Sequence, residues 1–156
     1  MKYKILFLSL VSILLLFVGC EKSCNVKAPK NLKPIDWENY NDVYTVYWNY
    51  VSLEWKSNQE DEGKTIKVSG WSPWWYDLFY LCDYAKYVDN TVRPDAIPTI
   101  LIICDLPGFK EKLNTCDLTK KCFVKGKLSF HVNEMGFCNK VVPVIEVIDI
   151  NDIYFE

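Results

Sequence analysis

Histidine is nearly missing from this 156-residue chain: His131 is the only one. A Ser-His or Cys-His nucleophilic pair would have to use it, and it falls on the polar side of an alternating segment, where a solvated surface residue is the simpler reading. Cys-x-x-Cys is absent, which argues against thioredoxin-like redox chemistry. Cys116 and Cys122 stand too far apart for the usual zinc knuckle, and one histidine cannot make up the set, so no metal and no cofactor is expected. There is no Gly-x-Ser-x-Gly elbow and no phosphate-cradling glycine loop. An excess of positive charge is missing too. Lys and Arg number 18 against 20 Asp and Glu, which leaves no electrostatic footprint for nucleic acid. Beyond residue 20 no apolar run reaches the roughly 20 residues needed to span a bilayer; the longest, 97–104, contains Pro98 and Thr99. Internal repeats and low-complexity segments are lacking. Paired carboxylates for glycoside hydrolysis need only meet in space, so sequence alone leaves them open.

What is present begins with an export pattern. Lys2 and Lys4 precede an almost unbroken apolar run over residues 5–18, too short to span and suited to a signal-peptide core. It ends at Phe17-Val18-Gly19-Cys20, with a polar successor in Glu21. This resembles the lipobox of bacterial lipoproteins, with Phe17 where Leu is usual. The resemblance implies cleavage before Cys20, diacylglycerol and palmitate on that thiol, and a protein held at a membrane surface. Each buried methylene contributes roughly 0.8 kcal/mol, so several chains on one cysteine anchor firmly. Glu21 in place of Asp offers no strong inner-membrane retention signal, so the expected address is the cell envelope, at the outer membrane. Residues 1–19 then form the signal peptide, 20–35 a Lys-, Asn-, Pro- and Ser-rich tether, and 36–156 one domain. Without Lys2 and Lys4 the mature chain carries 16 basic residues against 20 acidic, a net charge of −4.

Seven cysteines is a high count for this length. With Cys20 given to lipid, Cys24, Cys82, Cys104, Cys116, Cys122 and Cys138 remain, an even number in a compartment that permits oxidation. A bridge tying the 104–122 region together, or joining Cys122 to Cys138, is the favoured expectation. Cys104 lies in an apolar run and also reads as a buried thiol.

Periodicity organises the rest. At 100° per residue, Trp37, Tyr40, Tyr44, Tyr47, Trp48, Val51 and Trp55 fall within one arc of about 100°, which predicts an amphipathic helix over 36–55 with Asp36 as its N-cap. The strand-like composition of 43–48 is the competing reading. Residues 64–71 alternate as a half-buried strand, and 75–83 form an aromatic-rich second one. Residues 99–104 are a continuous apolar third strand, 109–118 a short helix, and 141–155 a long final strand that stumbles at 150–153. The cleanest pattern is 122–131, where Cys122, Val124, Gly126, Leu128 and Phe130 alternate with Phe123, Lys125, Lys127, Ser129 and His131.

Three strands, a short helix and two more strands, carried by Gly63-Lys64-Thr65-Ile66-Lys67-Val68-Ser69-Gly70, Val124-Lys125-Gly126-Lys127-Leu128 and Ile145-Glu146-Val147-Ile148-Asp149-Ile150, resemble the OB-fold lipoproteins of bacterial envelopes. The resemblance covers about residues 64–155. It implies a mainly β domain: a five-stranded, partly open OB-like barrel with a short helix between strands three and four and an added N-terminal amphipathic helix. It also implies ligands on the face of strands two and three, an analogy that fold alone does not carry into function.

One cluster rises above that background: Trp71, Trp74, Trp75 and Tyr76, within Trp71-Ser72-Pro73-Trp74-Trp75-Tyr76-Asp77-Leu78-Phe79-Tyr80. Alternation cannot bury all these rings on one face. They either pack beneath the added helix or form a patch for a protein partner or a glycan. The leading expectation is a lipid-anchored, non-catalytic binding or adaptor module of the envelope. The alternatives are a structural or stress-related envelope protein without a discrete ligand, and an envelope enzyme such as a hydrolase.

Overall fold

The computed structural model describes residues 29–51, 59–72, 74–75, 78–83, 98–133 and 140–156. Residues 1–19, expected to be a signal peptide, lie outside the described residues, as do Cys20, Cys24, Tyr76 and Cys138.

Alternation in the chain becomes one curled, mainly β half-barrel with two helices. In chain order the elements are β1 (Asn41–Asp42), α1 (Val43–Tyr50), β2 (Thr65–Gly70), β3 (Trp74–Trp75), β4 (Leu78–Cys82), β5 (Thr99–Ile103), α2 (Phe109–Thr115), β6 (Cys122–Asn133), β7 (Lys140–Glu146) and β8 (Ile153–Phe155). Neighbours run β1-β2-β6-β7-β5-β4-β3, and β8 pairs with β6. Eight strands are therefore described where five were expected; β1, β3 and β8, of two or three residues each, are the additions. Pairing is antiparallel except for β1 with β2 and β5 with β7.

β6 is the spine of the sheet. It carries β2 from Thr65↔Lys127 to Gly70↔Cys122, β7 from Lys127↔Glu146 to Asn133↔Lys140, and β8 over Cys122↔Phe155 to Val124↔Ile153. The alternation read in the sequence holds here: Cys122, Val124, Leu128 and Phe130 are buried, and His131 is exposed opposite Val142. Gly126 sits where β6 passes from one set of partners to the next. A Cβ there would lie 2.5 Å from the Glu146 carbonyl oxygen and 2.7 Å from Ile145 Cγ2, so only glycine permits the approach.

The expected final strand is two strands, not one. After Glu146 the chain leaves β6, with Val147 N–H donating to the Ile103 carbonyl at 2.8 Å. It then makes a 3₁₀ turn at Ile150–Asp152, where the Asp149 carboxylate accepts from Asn151 N–H, and rejoins β6 as β8. Lys125 Nζ meets Asp152 Oδ1 at 3.1 Å and pins that turn. The stumble in alternation at 150–153 marks this excursion.

Curling brings the two sides of the sheet into contact. Trp71 and Cys82 exchange both backbone hydrogen bonds at 2.8 Å, joining the end of β2 to the end of β4. Gly70, one residue earlier, makes this seam feasible: a Cβ would stand 2.7 Å from both the Cys82 carbonyl oxygen and Val43 Cγ2.

Helix α1 packs across β2, β4, β5 and β7, and the expectation for this segment needs correction. The helix is real but spans Val43–Tyr50, with Asp42 as N-cap, its carboxylate accepting from Thr45 N–H at 2.6 Å. Its buried face is Val43, Val46 and Tyr50, not the arc of rings; Tyr44 is 38% exposed and Trp48 half-buried. Compact β-branched side chains fit the concave face of a curled sheet. The rings are displaced to the flanks, where Tyr47 and Trp48 meet edge to face at 5.4 Å. Asp36 caps no helix: its Oδ1 accepts from the N–H groups of Glu38 and Asn39 at 2.9 and 3.0 Å and closes a turn. Asn41 ties that turn to β2, donating from Nδ2 to the Asp36 carbonyl at 2.7 Å and to the Lys67 carbonyl at 3.2 Å.

Ile66, Val68, Leu81, Ile100, Ile102, Val124, Leu128, Ile145 and Ile153 join α1 and Leu113 of α2 in one core. Cys104, Cys116 and Cys122 are free thiols in this structure, so neither expected bridge to Cys122 is formed, nor one within 104–122. Cys122 is fully buried, and burial pushes its thiol well above the ordinary range, with Cys116 adding to the rise. Cys82 is also buried. The end of the expected tether is part of the body: Ile35 packs against the core, and Asn49 Nδ2 donates to the Lys33 carbonyl at 2.8 Å.

Candidate functional site

Outward-facing positions on an alternating strand should be polar, and at the start of β6 they are not. Phe123 faces away from the core and stacks on its cross-strand partner Tyr154 of β8, with centroids 5.0 Å apart and planes within 6°. Tyr40 meets Phe123 edge-on at 5.2 Å and Tyr154 at 6.3 Å. Burial, followed by a hydrogen bond with Tyr154, raises the Tyr40 phenol well above its usual range.

Trp71 extends this row across the seam. Lys121 Nζ stands 5.4 Å from the Trp71 centroid and 5.6 Å from that of Phe123, between the two rings. Each such contact is worth about 0.5–1 kcal/mol at a partly exposed site. The lysine is set in place by its backbone, which exchanges hydrogen bonds of 3.0 and 2.9 Å with Glu156. Trp71 is half-buried, as are Phe123, Tyr154 and Tyr40. The result is a laminated aromatic face with one ammonium clamped in it.

Of the residues singled out in the sequence, Trp71 belongs to this face. Trp74 and Trp75 form β3, paired at Trp74↔Phe79 and Trp75↔Leu78, on the edge of the sheet beyond β4. Trp71 pairs with Cys82 in the same antiparallel register, so Trp71 and β3 follow one another along the same edge of β4. Tyr76 lies outside the described residues. Lys121 Nζ stands over the ring of Trp71 and links it to Phe123.

No protein-family model matches this chain, and no curated protein does. Its chemistry has to be read from its own side chains.

Sequence reasoning missed a second concavity altogether. A cleft of about 350 Å³ lies between Pro34 and Ile35, Trp37, the end of α1 at Asn49 and Tyr50, and the 3₁₀ turn Gln59–Asp61, where Glu60 and Asp61 line it. Trp37 is 38% exposed. Tyr50 donates its hydroxyl proton to Asp61 Oδ2 at 3.0 Å, and Lys64 pairs with Asp61 Oδ1 while its Nζ stands 5.2 Å from the Trp37 centroid. Lys64, aided by Tyr50, holds the Asp61 carboxyl below its ordinary range. In the sequence Glu60-Asp61-Glu62 reads as a solvated charge run, and Trp37 as part of a helix. Only the Asp36 turn, signalled by Asp, Asn and Asn at 36, 39 and 41, could have shown that Trp37 leaves the helix.

Among the described residues, no three His, Cys, Asp or Glu side chains gather as a metal site would need, and no helix is long and apolar enough to cross a membrane.

Proposed function

We propose that this chain is a lipid-anchored, non-catalytic binding module of a bacterial cell envelope, an OB-like barrel tethered through Cys20, whose contact surface is the aromatic face at Trp71. One observation carries the reading: Tyr40, Trp71, Phe123 and Tyr154 occupy outward positions where alternation leaves polar residues elsewhere on β6, with Lys121 held among them. Aromatic surface that a small domain places outside its core is the kind that anchors a partner. The barrel part of the proposal draws support from connectivity. The five longest strands, β2, β4, β5, β6 and β7, follow the chain order of the OB resemblance. A helix stands between the third and the fourth, and the first touches the second at the Trp71–Cys82 bridge. The non-catalytic part draws support from His131, exposed on the outer face of β6 opposite Val142 and far along the strand from Phe123.

The test combines anchor and surface. Palmitate labelling is expected on wild type and absent from Cys20→Ser; label on the variant would remove the anchor from the proposal. In native envelopes, chemical cross-linking of wild type is expected to give a discrete adduct that Trp71→Ala loses while keeping its circular-dichroism melt. An unchanged adduct would move the surface elsewhere. The mutual packing of Phe123, Tyr154 and Tyr40 favours a second reading, a structural envelope protein whose rings satisfy one another, and no adduct from either form would put it first.

A further inference from the structure

The cleft at Trp37 has a polar lining that is short of donors. Asn49 commits its amide Nδ2 to two carbonyls, those of Lys33 and Thr45, each at 2.8 Å, so its carbonyl oxygen is the atom it has to offer. Tyr50 directs its hydroxyl proton to Asp61. Glu60 and Asp61 contribute carboxylates, which only accept when ionised. Beside these acceptors stand apolar surfaces: the indole of Trp37, the ring of Tyr50, Pro34 and Ile35. An occupant must therefore bring several hydrogen-bond donors on one side and a flat apolar patch on the other.

Charge narrows the class. An anionic ligand would meet two carboxylates and few donors. A cationic ligand would meet the Lys64 ammonium, which already takes the Trp37 ring and the Asp61 carboxylate and leaves a bound cation only the solvent-exposed carboxylate of Glu60. What remains is a neutral molecule rich in hydroxyls with an apolar C–H face, which describes a pyranose ring. At about 350 Å³ the cleft falls at the small end of ligand sites, roughly 300–1,000 Å³, in the range of one or two sugar rings.

We infer that the cleft formed by Trp37, Tyr50, Asn49 and the Glu60–Asp61 turn is a binding site for a neutral saccharide, which stacks on Trp37 and donates its hydroxyls to the carboxylates and to Asn49. The inference deepens the reading of this chain as a binding module but uses a surface separate from the Trp71 face. The turn closed by Asp36 and stapled by Asn41 presents the indole, and Lys64 fixes Asp61 in the ionised, accepting state. Both are devices for holding a platform and an acceptor still before a ligand arrives.

Calorimetric titration of the full chain in detergent, with maltotriose, cellotriose and triacetylchitotriose as separate probes, tests this directly. At least one of them is expected to bind, with saturation in the millimolar range or below. Trp37→Ala should weaken that binding at least tenfold, Trp37→Phe should retain part of it, and Trp71→Ala should leave it unchanged. Trp37 is sufficiently exposed for its replacement to spare the fold, which an unchanged melt would check. Absence of heat with all three probes would overturn the inference, as would equal binding by wild type and Trp37→Ala. Binding of choline in place of the sugars would overturn it in favour of a cation site. Loss of sugar binding in Trp71→Ala alone would assign the sugar to the other face. The binding-module reading is tested apart from all of these by the envelope cross-link at Trp71.

Discussion

At one end of α1 the carboxylate of Asp83 accepts a hydrogen bond from Tyr44 N–H at 2.9 Å; at the other, the carboxylate of Asp61 accepts from the hydroxyl of Tyr50. Both acids are partly buried, and both come from outside the helix. They are driven in opposite directions. Asp83 is pushed up to about 6, mainly by burial and with a contribution from the Asp42 carboxylate, against the helix N–H groups that favour its charge. Asp61 is held low, with Lys64 as the chief cause. A helix N-terminus attracts anions by about 0.3–1 kcal/mol, and at Asp83 desolvation exceeds that attraction. Position at a helix end thus decides less than whether a compensating cation stands in contact. The end with its cation forms the cleft, and the end without one adjoins the seam.

The largest effect is expected from separating the two ends mechanically. Gly70→Ala would drive a methyl into Val43 and the Cys82 carbonyl, lifting the N-terminal end of α1 off the seam while leaving the Tyr50 end seated. Overpacking of this kind costs about 3 kcal/mol. Urea unfolding should show that loss, and side-chain NMR titration should show Asp83 returning toward the ordinary carboxylate value while Asp61 stays low. If both acids move together, α1 transmits the disturbance along its length and the two ends are not independent.

Next comes the cost held at Asp83. Its folded-state value lies above its unfolded one, so the folded protein binds the proton more tightly, and stability falls as pH rises from about 4 to about 6. Above that range the charged form costs on the order of 2 kcal/mol, after allowance for partial solvent screening. Asp83→Asn keeps an oxygen for Tyr44 N–H and removes the charge. It should stabilise the protein by about that amount at pH 7.5 and have little effect at pH 4, as measured by urea midpoints at the two pH values. Equal midpoint shifts at both would mean that the charge of Asp83 carries no penalty.

The two ends also differ in how far the sequence disclosed them. The long strands were legible because period-two alternation survives wherever one face is buried, as at Val124, Leu128 and Phe130 of β6. The helix was legible in kind but not in face. Six aromatic residues and Val51 on one arc outweighed Val43 and Val46 in the periodicity, whereas the concave sheet selected the narrow β-branched pair. The Trp71 face was half visible, since Trp71 stood out in the sequence while Phe123 fell on the largely polar side of its strand and nothing singled out Tyr154 or Lys121. The cleft was invisible because it is assembled from three segments, 34–37, 49–50 and 60–61, whose proximity is tertiary. Nothing local tells a charge run that will face an indole from one that will face water.

The smallest effect should come from the Asp61 end, and its smallness is what would sharpen the contrast. Lys64→Met removes the cation from both Asp61 and Trp37. The pair is open to solvent, with 52% of the Lys64 side chain and 31% of that of Asp61 exposed, so the loss should be no more than about 0.5 kcal/mol and should vanish in high salt. Asp61 has a lowered folded-state value, so its contribution is present above the unfolded carboxylate range and is lost as pH falls through it. In Lys64→Met that acid-side loss should shrink, with the Asp61 carboxyl moving up in an NMR titration. A salt-insensitive loss above about 1.5 kcal/mol would place the pair in a desolvated setting, like Asp83 but with a partner. Burial would then be common to both ends, and the cation alone would account for the difference between them.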